Sequence, residues 1–87
     1  MATRAFVVPG AAEGATVLEV RSRDRVGLLY DLGRCLAAAG LSVRSAHIAT
    51  YAGQTLDTFY LTEPRGGQLS PGRVAATVAA VIDCCDG

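Results

Sequence analysis

Lysine, asparagine and tryptophan are absent from this chain of 87 residues, and its eight basic residues are all arginine. Eight acidic residues balance them, so the formal net charge is zero and no basic stripe is visible along the sequence. A domain that binds nucleic acid usually shows a basic face. We therefore expect no nucleic acid among the partners of this chain.

Long hydrophobic runs are also missing. A membrane-spanning helix needs about 20 consecutive apolar residues, and no run in the chain approaches that length. Residues 1–14 lack the apolar core that a signal peptide requires. We therefore expect a cytoplasmic protein with no membrane partner.

Cysteine is scarce and histidine occurs once. Cys35, Cys84 and Cys85 form no Cys-x-x-Cys motif and no disulfide framework, and their spacing fits no metal site. This usage favours a reduced compartment, with Cys35 as a small core residue and the adjacent pair incidental. His47 alone does not make a catalytic system, which needs a nucleophile and an orienting acid. We therefore expect no catalytic residue and no metal or cofactor.

Apolar residues, by contrast, make up 51% of the chain, and the mean hydropathy is +0.32. Both values are high for a small soluble protein. A chain of this length forms one domain, whose stability is marginal or shared with a partner. We therefore predict a single domain over residues 1–87, with a well-formed core at about 16–83 and an apolar interface.

Hydrophobic periodicity divides the chain into six elements. Strand patterns cover residues 4–8, 16–22, 42–51 and 56–62, and helical patterns cover 28–39 and 71–82. Gly40 is a suitable left-handed stop for the first helix, and Ser70-Pro71 is a strong start for the second. The phase of the apolar residues slips between Val43 and Ala46, which predicts a bulge.

The order of these elements is strand, strand, helix, strand, strand, helix. Without the first strand it is one strand short of the ferredoxin-like β-α-β-β-α-β plan. We predict that strand 4–8 fills the edge position of the missing last strand. The predicted fold is α+β, with a four-stranded antiparallel sheet and two helices on one face.

The segment from Asp24 to Leu29 lies where a strand turns into a helix. The first N–H groups of a helix lack partners, and together with the helix dipole they attract a carboxylate or another anion. Asp24 is a plausible N-cap for this helix. A purely structural alternative stays open, in which Asp24 only caps the helix and Gly27 only permits close packing.

The ferredoxin-like plan hosts several functions, so the fold does not decide among them. An acylphosphatase-like enzyme needs a catalytic asparagine, which is absent. An RNA-recognition module needs exposed aromatic residues on the sheet, and Tyr51 and Tyr60 come without the basic-aromatic pattern. A metallochaperone needs two cysteines in its first loop, which has none.

Two motifs together resemble the ACT domain family. They are Asp24-Arg25-Val26-Gly27-Leu28-Leu29 before a helix that ends at Gly40, and the strand segment Ser45-Ala46-His47-Ile48-Ala49-Thr50. When the segment Asp57-Thr58-Phe59-Tyr60-Leu61-Thr62 is considered with these two motifs, the chain is similar to the C-terminal ACT domains of bacterial PII uridylyltransferase/uridylyl-removing enzymes. The resemblance extends from about Phe6 to Ile82.

This resemblance implies a regulatory module that binds an amino acid between two ACT domains, either in a homodimer or in an intramolecular pair. In the uridylyltransferase family the effector is glutamine. Carried over, Asp24 pairs with the ammonium of the ligand, and the backbone of residues 26–28 holds its carboxylate. Strand 45–48 faces the partner copy. The predicted ligand-binding residues are Asp24, Arg25, Val26, Gly27, Leu28, Leu29, Ser45, Ala46, His47 and Ile48.

Val26 departs from the family pattern, which usually has proline at this position. Valine restores a backbone N–H and frees the dihedral that proline would fix. The turn is then less rigid, and ligand affinity is the property that this change affects.

Three functional hypotheses follow. The first is a non-catalytic effector-sensing domain of a larger nucleotidyltransferase. The second is a structural ACT module that pairs with another domain and binds no ligand, and the third is a free-standing amino-acid-binding dimer. Loss of ligand response on replacing Asp24 by alanine would favour a sensor over a structural module.

Overall fold

A computed structural model describes residues 2–86 of the chain and confirms the predicted fold class. Its sheet has four antiparallel strands in the order β1-β2-β4-β3. The elements are β1 Arg4–Val7, β2 Thr16–Arg23, α1 Leu28–Ala38, β3 Ser42–Tyr51, β4 Gln54–Thr62 and α2 Pro71–Asp86.

The first strand occupies the edge position predicted for it. β1 pairs antiparallel with β2, so that Ala5 lies opposite Val20 and Val7 opposite Leu18. Directly opposed residues of an antiparallel pair project from the same face. Ala5 and Val7 accordingly pack against the core formed by β2, β4 and the helices.

Both helices cover one face of the sheet, as predicted. Alternate residues of β2 and β4 point towards them, with Leu18 and Val20 on β2 and Phe59 and Leu61 on β4. The buried core comprises Leu18, Val20, Leu28, Leu32, Leu36, Leu41, Phe59, Leu61, Leu69 and Val81. Cys35 was expected in this core but is only partly buried and packs against it from outside.

Two element boundaries differ from the prediction by more than one residue. β4 begins at Gln54 rather than Leu56, because Ala52 and Gly53 both have positive φ and close the β3–β4 hairpin with a two-residue turn. α2 continues to Asp86 rather than ending near Ile82, since residues 83–86 include no glycine or proline that would end it.

The predicted helix ends and bulge are confirmed. Gly40 has a φ of 78°, and the N–H of Leu41 donates to the Leu36 carbonyl at 3.3 Å. Ser70 Oγ accepts from the Arg73 N–H at 3.3 Å, which is N-cap geometry. The register of β3 against β4 shifts between Val43 and Ser45. No helix among residues 2–86 has the length and apolar content to span a bilayer.

Candidate functional site

The turn before α1 is anchored to the tip of the β3–β4 hairpin. The N–H of Asp24 donates to the Gly53 carbonyl at 2.9 Å. Gly27 then adopts a left-handed conformation with φ 80° and stands as the N-cap of α1. Glycine reaches this conformation without the steric cost that a Cβ imposes.

Asp24 does not cap the helix, so that prediction is wrong. No side chain hydrogen-bonds to the start of α1, because the chain passes through Arg25 and Val26 before the N-cap at Gly27. Within the part of the chain that the structure describes, no hydrogen bond reaches the Asp24 carboxylate, which lies exposed. The carboxylate is therefore available to a cation.

The first turn of α1 leaves N–H groups available. Leu28 N–H donates to the Arg25 carbonyl at 3.2 Å, and Asp31 N–H donates to the Gly27 carbonyl at 2.9 Å. Between them, the N–H groups of Leu29 and Tyr30 have no partner among residues 2–86. Two adjacent free donors at the positive end of a helix form a site for one carboxylate.

Arg25 is bound to the two helices rather than free for a ligand. Its Nη1 lies 2.8 Å from Asp31 Oδ2, and its Nη2 donates to the Cys84 carbonyl at 3.3 Å. Asp31 is thus paired with Arg25 while 42% of its side chain remains exposed. Arg25 links the turn to the C-terminal end of α2.

The apolar residues of the motif divide into two groups. Leu28 is buried in the core and anchors the helix. Val26 is 100% exposed and Leu29 is 50% exposed. Exposed apolar side chains beside the free N–H groups place a surface suited to contact with another molecule at the predicted site.

The predicted residues of β3 lie on opposite faces of the sheet. Ala46 pairs with Phe59 and Ile48 with Asp57, so both point to the face that carries the helices. Ser45 and His47 point to the open face, where the His47 ring packs edge-on against Tyr60 at 5.8 Å. Only Ala46 and Ile48 therefore share a face with the turn.

β3 is an edge strand that the helices leave uncovered. It extends over ten residues, and every residue from Val43 to Tyr51 is exposed. Ile48 is 45% exposed although it points to the helix-bearing face. Leu29 is 50% exposed on α1, which contacts β3. We call Leu29, Val43, Ala46 and Ile48 the β3–α1 surface.

Asp57 was missed as a site residue. It is 1% exposed on the helix-bearing face of β4 and accepts a hydrogen bond from Thr55 Oγ1 at 2.5 Å. Burial raises the pKa of its carboxyl, the Thr55 hydrogen bond lowers it, and the charge of Asp24 raises it further. The signal in the sequence is an acidic residue at an inward-pointing position of β4, between the inward-pointing Thr55 and Phe59.

The open face of the sheet concentrates arginines that are dispersed in the sequence. Arg4 lies directly opposite Arg21, and Arg23 and Arg44 share that face with a single carboxylate, Glu19. The Arg21 guanidinium lies over the Phe6 ring at 5.8 Å. Arg21 contacts the Phe6 ring and His47 contacts Tyr60, so Tyr51, which is 85% exposed, is the ring most open to stacking by a base.

Comparison with known proteins finds relatives among bifunctional uridylyltransferase/uridylyl-removing enzymes. The chain is 51% identical over 80 residues to the bifunctional uridylyltransferase/uridylyl-removing enzyme of Streptomyces coelicolor, covering 92% of this chain and 10% of that enzyme. The enzyme of the same name from Rhodopseudomonas palustris is 39% identical over 87 residues, with 91% and 9% covered. The chain thus spans about a tenth of the length of these relatives, and the resemblance drawn from its motifs is confirmed.

The fold is also found in a solved structure of a protein of unknown function from Galdieria sulphuraria. The two share a TM-score of 0.63 at 21% identity, over 98% of this chain and 40% of the other. This likeness concerns the fold alone. No family model matches the chain.

Proposed function

We propose that this chain, which is similar over most of its length to a small part of bifunctional uridylyltransferase/uridylyl-removing enzymes, is an ACT-type regulatory domain that binds an amino acid and catalyses no reaction itself. Glutamine is the proposed effector. One observation carries the proposal: the unpaired N–H groups of Leu29 and Tyr30 lie in the same turn as an Asp24 carboxylate that caps no helix.

The chemistry of an amino acid matches this turn. A zwitterion brings a carboxylate and an ammonium a few ångströms apart. The helix start offers donors and a positive dipole to the carboxylate. Asp24 offers a negative charge to the ammonium, and buried Asp57 adds negative potential nearby whenever it is ionised.

We further propose that a second ACT domain completes the site. A long, unpaired edge strand is a template for strand pairing, and β3 presents ten residues at its edge. Pairing through the β3–α1 surface would cover Leu29 and Ile48 and bring the partner's edge next to the turn. The partner is either a second copy or another ACT domain of the same protein.

In this proposal the whole protein is a cytoplasmic uridylyltransferase/uridylyl-removing enzyme, and this domain regulates it. An effector changes activity only if it binds one state of the enzyme more tightly than the other. Ligand binding that orders the turn and tightens the domain pair would supply that difference.

Thermal unfolding with a panel of amino acids at millimolar concentrations tests the proposal. A ligand at 100 times its dissociation constant stabilises the folded state by about 2.7 kcal/mol. At about 4–8 °C per kcal/mol, the midpoint of a domain this small rises by roughly 10–20 °C. We expect this shift with glutamine, and a folded, paired domain that responds to no amino acid would refute the sensor.

A structural pairing module is the second candidate, and the exposed β3–α1 surface favours it. Val26 and Leu29 expose apolar area beside β3 whether or not a ligand is present. In this alternative the domain pairs as tightly without amino acids as with them. Sedimentation equilibrium with and without glutamine separates the two candidates, since a sensor that binds ligand at the pair interface associates more tightly when glutamine is present.

A further inference from the structure

We propose that Cys35 and Cys84 form a two-thiol modification site, which a small-molecule disulfide oxidises to a disulfide that joins α1 to α2. Neither residue belongs to the predicted ligand site. The proposal depends on how the two helices face each other and is independent of the proposed function.

The two helices run antiparallel and place these cysteines opposite each other. At one end of the pair, Arg73 Nη1 donates to the Ala39 carbonyl at 2.9 Å. Further along, Cys35 Sγ donates to the Ala80 carbonyl and Cys84 Sγ to the Asp31 carbonyl, both at 3.3 Å. Each thiol thus donates to the carbonyl that lies four residues, or one helical turn, before the cysteine of the other helix.

This reciprocity brings both sulfur atoms into one gap. Side chains of a helix tilt towards its N-terminus, so in an antiparallel pair the two thiols tilt towards each other. A disulfide has an S–S distance of about 2.05 Å, and in this proposal rotamer changes within the gap bring the two sulfur atoms to that distance.

Cys85 cannot replace Cys84 in this arrangement. Adjacent residues of a helix project about 100° apart, and Cys85 packs against the buried core between the helices and the sheet. Cys85 therefore points to the sheet while Cys84 points to α1. The chain supplies its own control cysteine, in the same helical turn as Cys84.

The thiol pair is accessible to a small oxidant. A surface cavity of about 300 Å³ is lined by Asp31, Arg34, Cys35 and Cys84. Both cysteines are half-buried and line this cavity, and Cys35 also packs against the core.

Thiol–disulfide exchange balances the reaction. The Cys84 thiolate attacks one sulfur of the oxidant, forming a mixed disulfide and releasing one small thiol. The Cys35 thiolate then attacks Cys84 Sγ and releases the second small thiol. Two protein thiols are oxidised, the oxidant is reduced to two thiols, and the two protons pass to the leaving thiolates. Burial, followed by the neighbouring Cys84, raises the pKa of Cys35, which assigns it the second attack.

Oxidation at this site also bears on the turn before α1, and this consequence does rest on the proposed function. Arg25 holds the Asp31 carboxylate at 2.8 Å and the Cys84 carbonyl at 3.3 Å. A disulfide between Cys35 and Cys84 would fix the distance between α1 and α2, and therefore between the two groups that Arg25 joins. It would thereby change the affinity of the turn for glutamine.

The test incubates the 87-residue chain and its Cys85→Ser variant with oxidised glutathione. Free thiols should fall from three to one in the unmodified chain, with loss of two hydrogen atoms in mass and a Cys35–Cys84 linkage on peptide mapping. Cys85→Ser should close the same disulfide. Cys35→Ser should stop at a stable glutathione adduct on Cys84.

Closure should also raise the midpoint of thermal unfolding, and a reductant should restore it. A Cys84–Cys85 linkage, a persistent glutathione adduct on the unmodified chain, or three thiols that remain free would overturn the proposal. Because thiols and mass are measured without ligand, these results stand whether or not glutamine binds. Glutamine titration of both redox forms then tests the coupling through Arg25 alone.

Discussion

The two edges of the sheet are built differently. β1 has four residues and is followed by Pro9, which cannot donate to a strand ladder. α2 packs against it, and Thr3 donates to the Asp86 carboxylate at the end of that helix. β3 has ten residues and no proline, and its side chains from Val43 to Tyr51 are exposed rather than covered by a helix.

Natural proteins protect edge strands by shortness, proline, charge or cover. β1 has three of these protections, since it is short, flanked by proline and covered by α2. β3 has only its charged Arg44 and the bulge between Val43 and Ser45, both near one end. The contrast indicates that one edge of this sheet is closed and that the other is available for pairing. The turn that bears Asp24 and the free N–H groups lies on the available side.

Charging one edge at a time gives the largest expected effect. Ile48→Lys places an ammonium on β3, and Phe6→Lys does the same on β1, at side chains of similar exposure, 45% and 38%. Burying an unpaired charge costs about 3 kcal/mol or more, so Ile48→Lys should weaken self-association at least about 100-fold. Sedimentation equilibrium measures this, and an equal effect of Phe6→Lys would contradict the contrast.

The second-largest effect is expected from removing the Asp24 carboxylate, which lies on the β3 side. Asp24→Ala should weaken glutamine binding about 10- to 100-fold, because a hydrogen bond to a charged group contributes about 1.5–3 kcal/mol. Stability should change by less than about 0.5 kcal/mol, since Asp24 caps no helix. Calorimetric titration and urea unfolding measure the two quantities. Asp83→Ala, on α2, is the matched control and should change neither.

Replacing one glycine near each edge of the sheet by alanine applies the same backbone strain to the β3 side and to the β1 side. Gly27 and Gly14 both have positive φ, 80° and 68°, and at both positions a Cβ would point into open space. Alanine in this conformation costs about 1–2 kcal/mol, so both variants should lose similar stability. Only Gly27→Ala should also weaken glutamine binding, because it lies in the ligand turn. Equal ligand affinity in the two variants would remove Gly27 from the site.

The smallest effect concerns pH and Asp57. Its folded-state pKa is raised above the unfolded value, mainly by burial. Protonation therefore stabilises the folded domain, and this contribution is lost as pH rises through the folded pKa. Asp57→Asn should be more stable than the unmodified chain at pH 7, with a smaller difference towards pH 4. Urea unfolding across that range measures it.

A companion variant checks the cause of this pH dependence. Thr55→Val removes a hydrogen bond that lowers the pKa of Asp57. The variant should therefore lose stability at pH 7 and recover part of it on acidification. A pH profile parallel to that of the unmodified chain would show that Asp57 does not titrate as described.

Local signals were sufficient for most of the fold. Periodicity located all six elements, Gly40 and Ser70 marked helix ends, and the phase slip after Val43 marked the bulge. The edge position of β1 followed from counting strands in the ferredoxin-like plan. These features depend on residues close together in sequence or on a connection rule.

The site was predicted less completely, because its geometry depends on tertiary register. Whether Asp24 caps α1 is decided by where the left-handed residue falls, at Gly27. The faces of Ser45 and His47 are set by how β3 aligns with β4 after the bulge. The opposition of Cys35 and Cys84 depends on the alignment of α1 with α2, to which no local pattern points.

The most direct test of the account is a titration of the isotope-labelled chain with L-glutamine, followed by amide NMR. If the free N–H groups bind the ligand carboxylate, the largest shifts will occur at Leu29 and Tyr30, with further shifts along β3 as the partner edge engages. D-glutamine serves as the control. Unchanged Leu29 and Tyr30 resonances at saturating L-glutamine, in a folded and paired domain, would contradict the account.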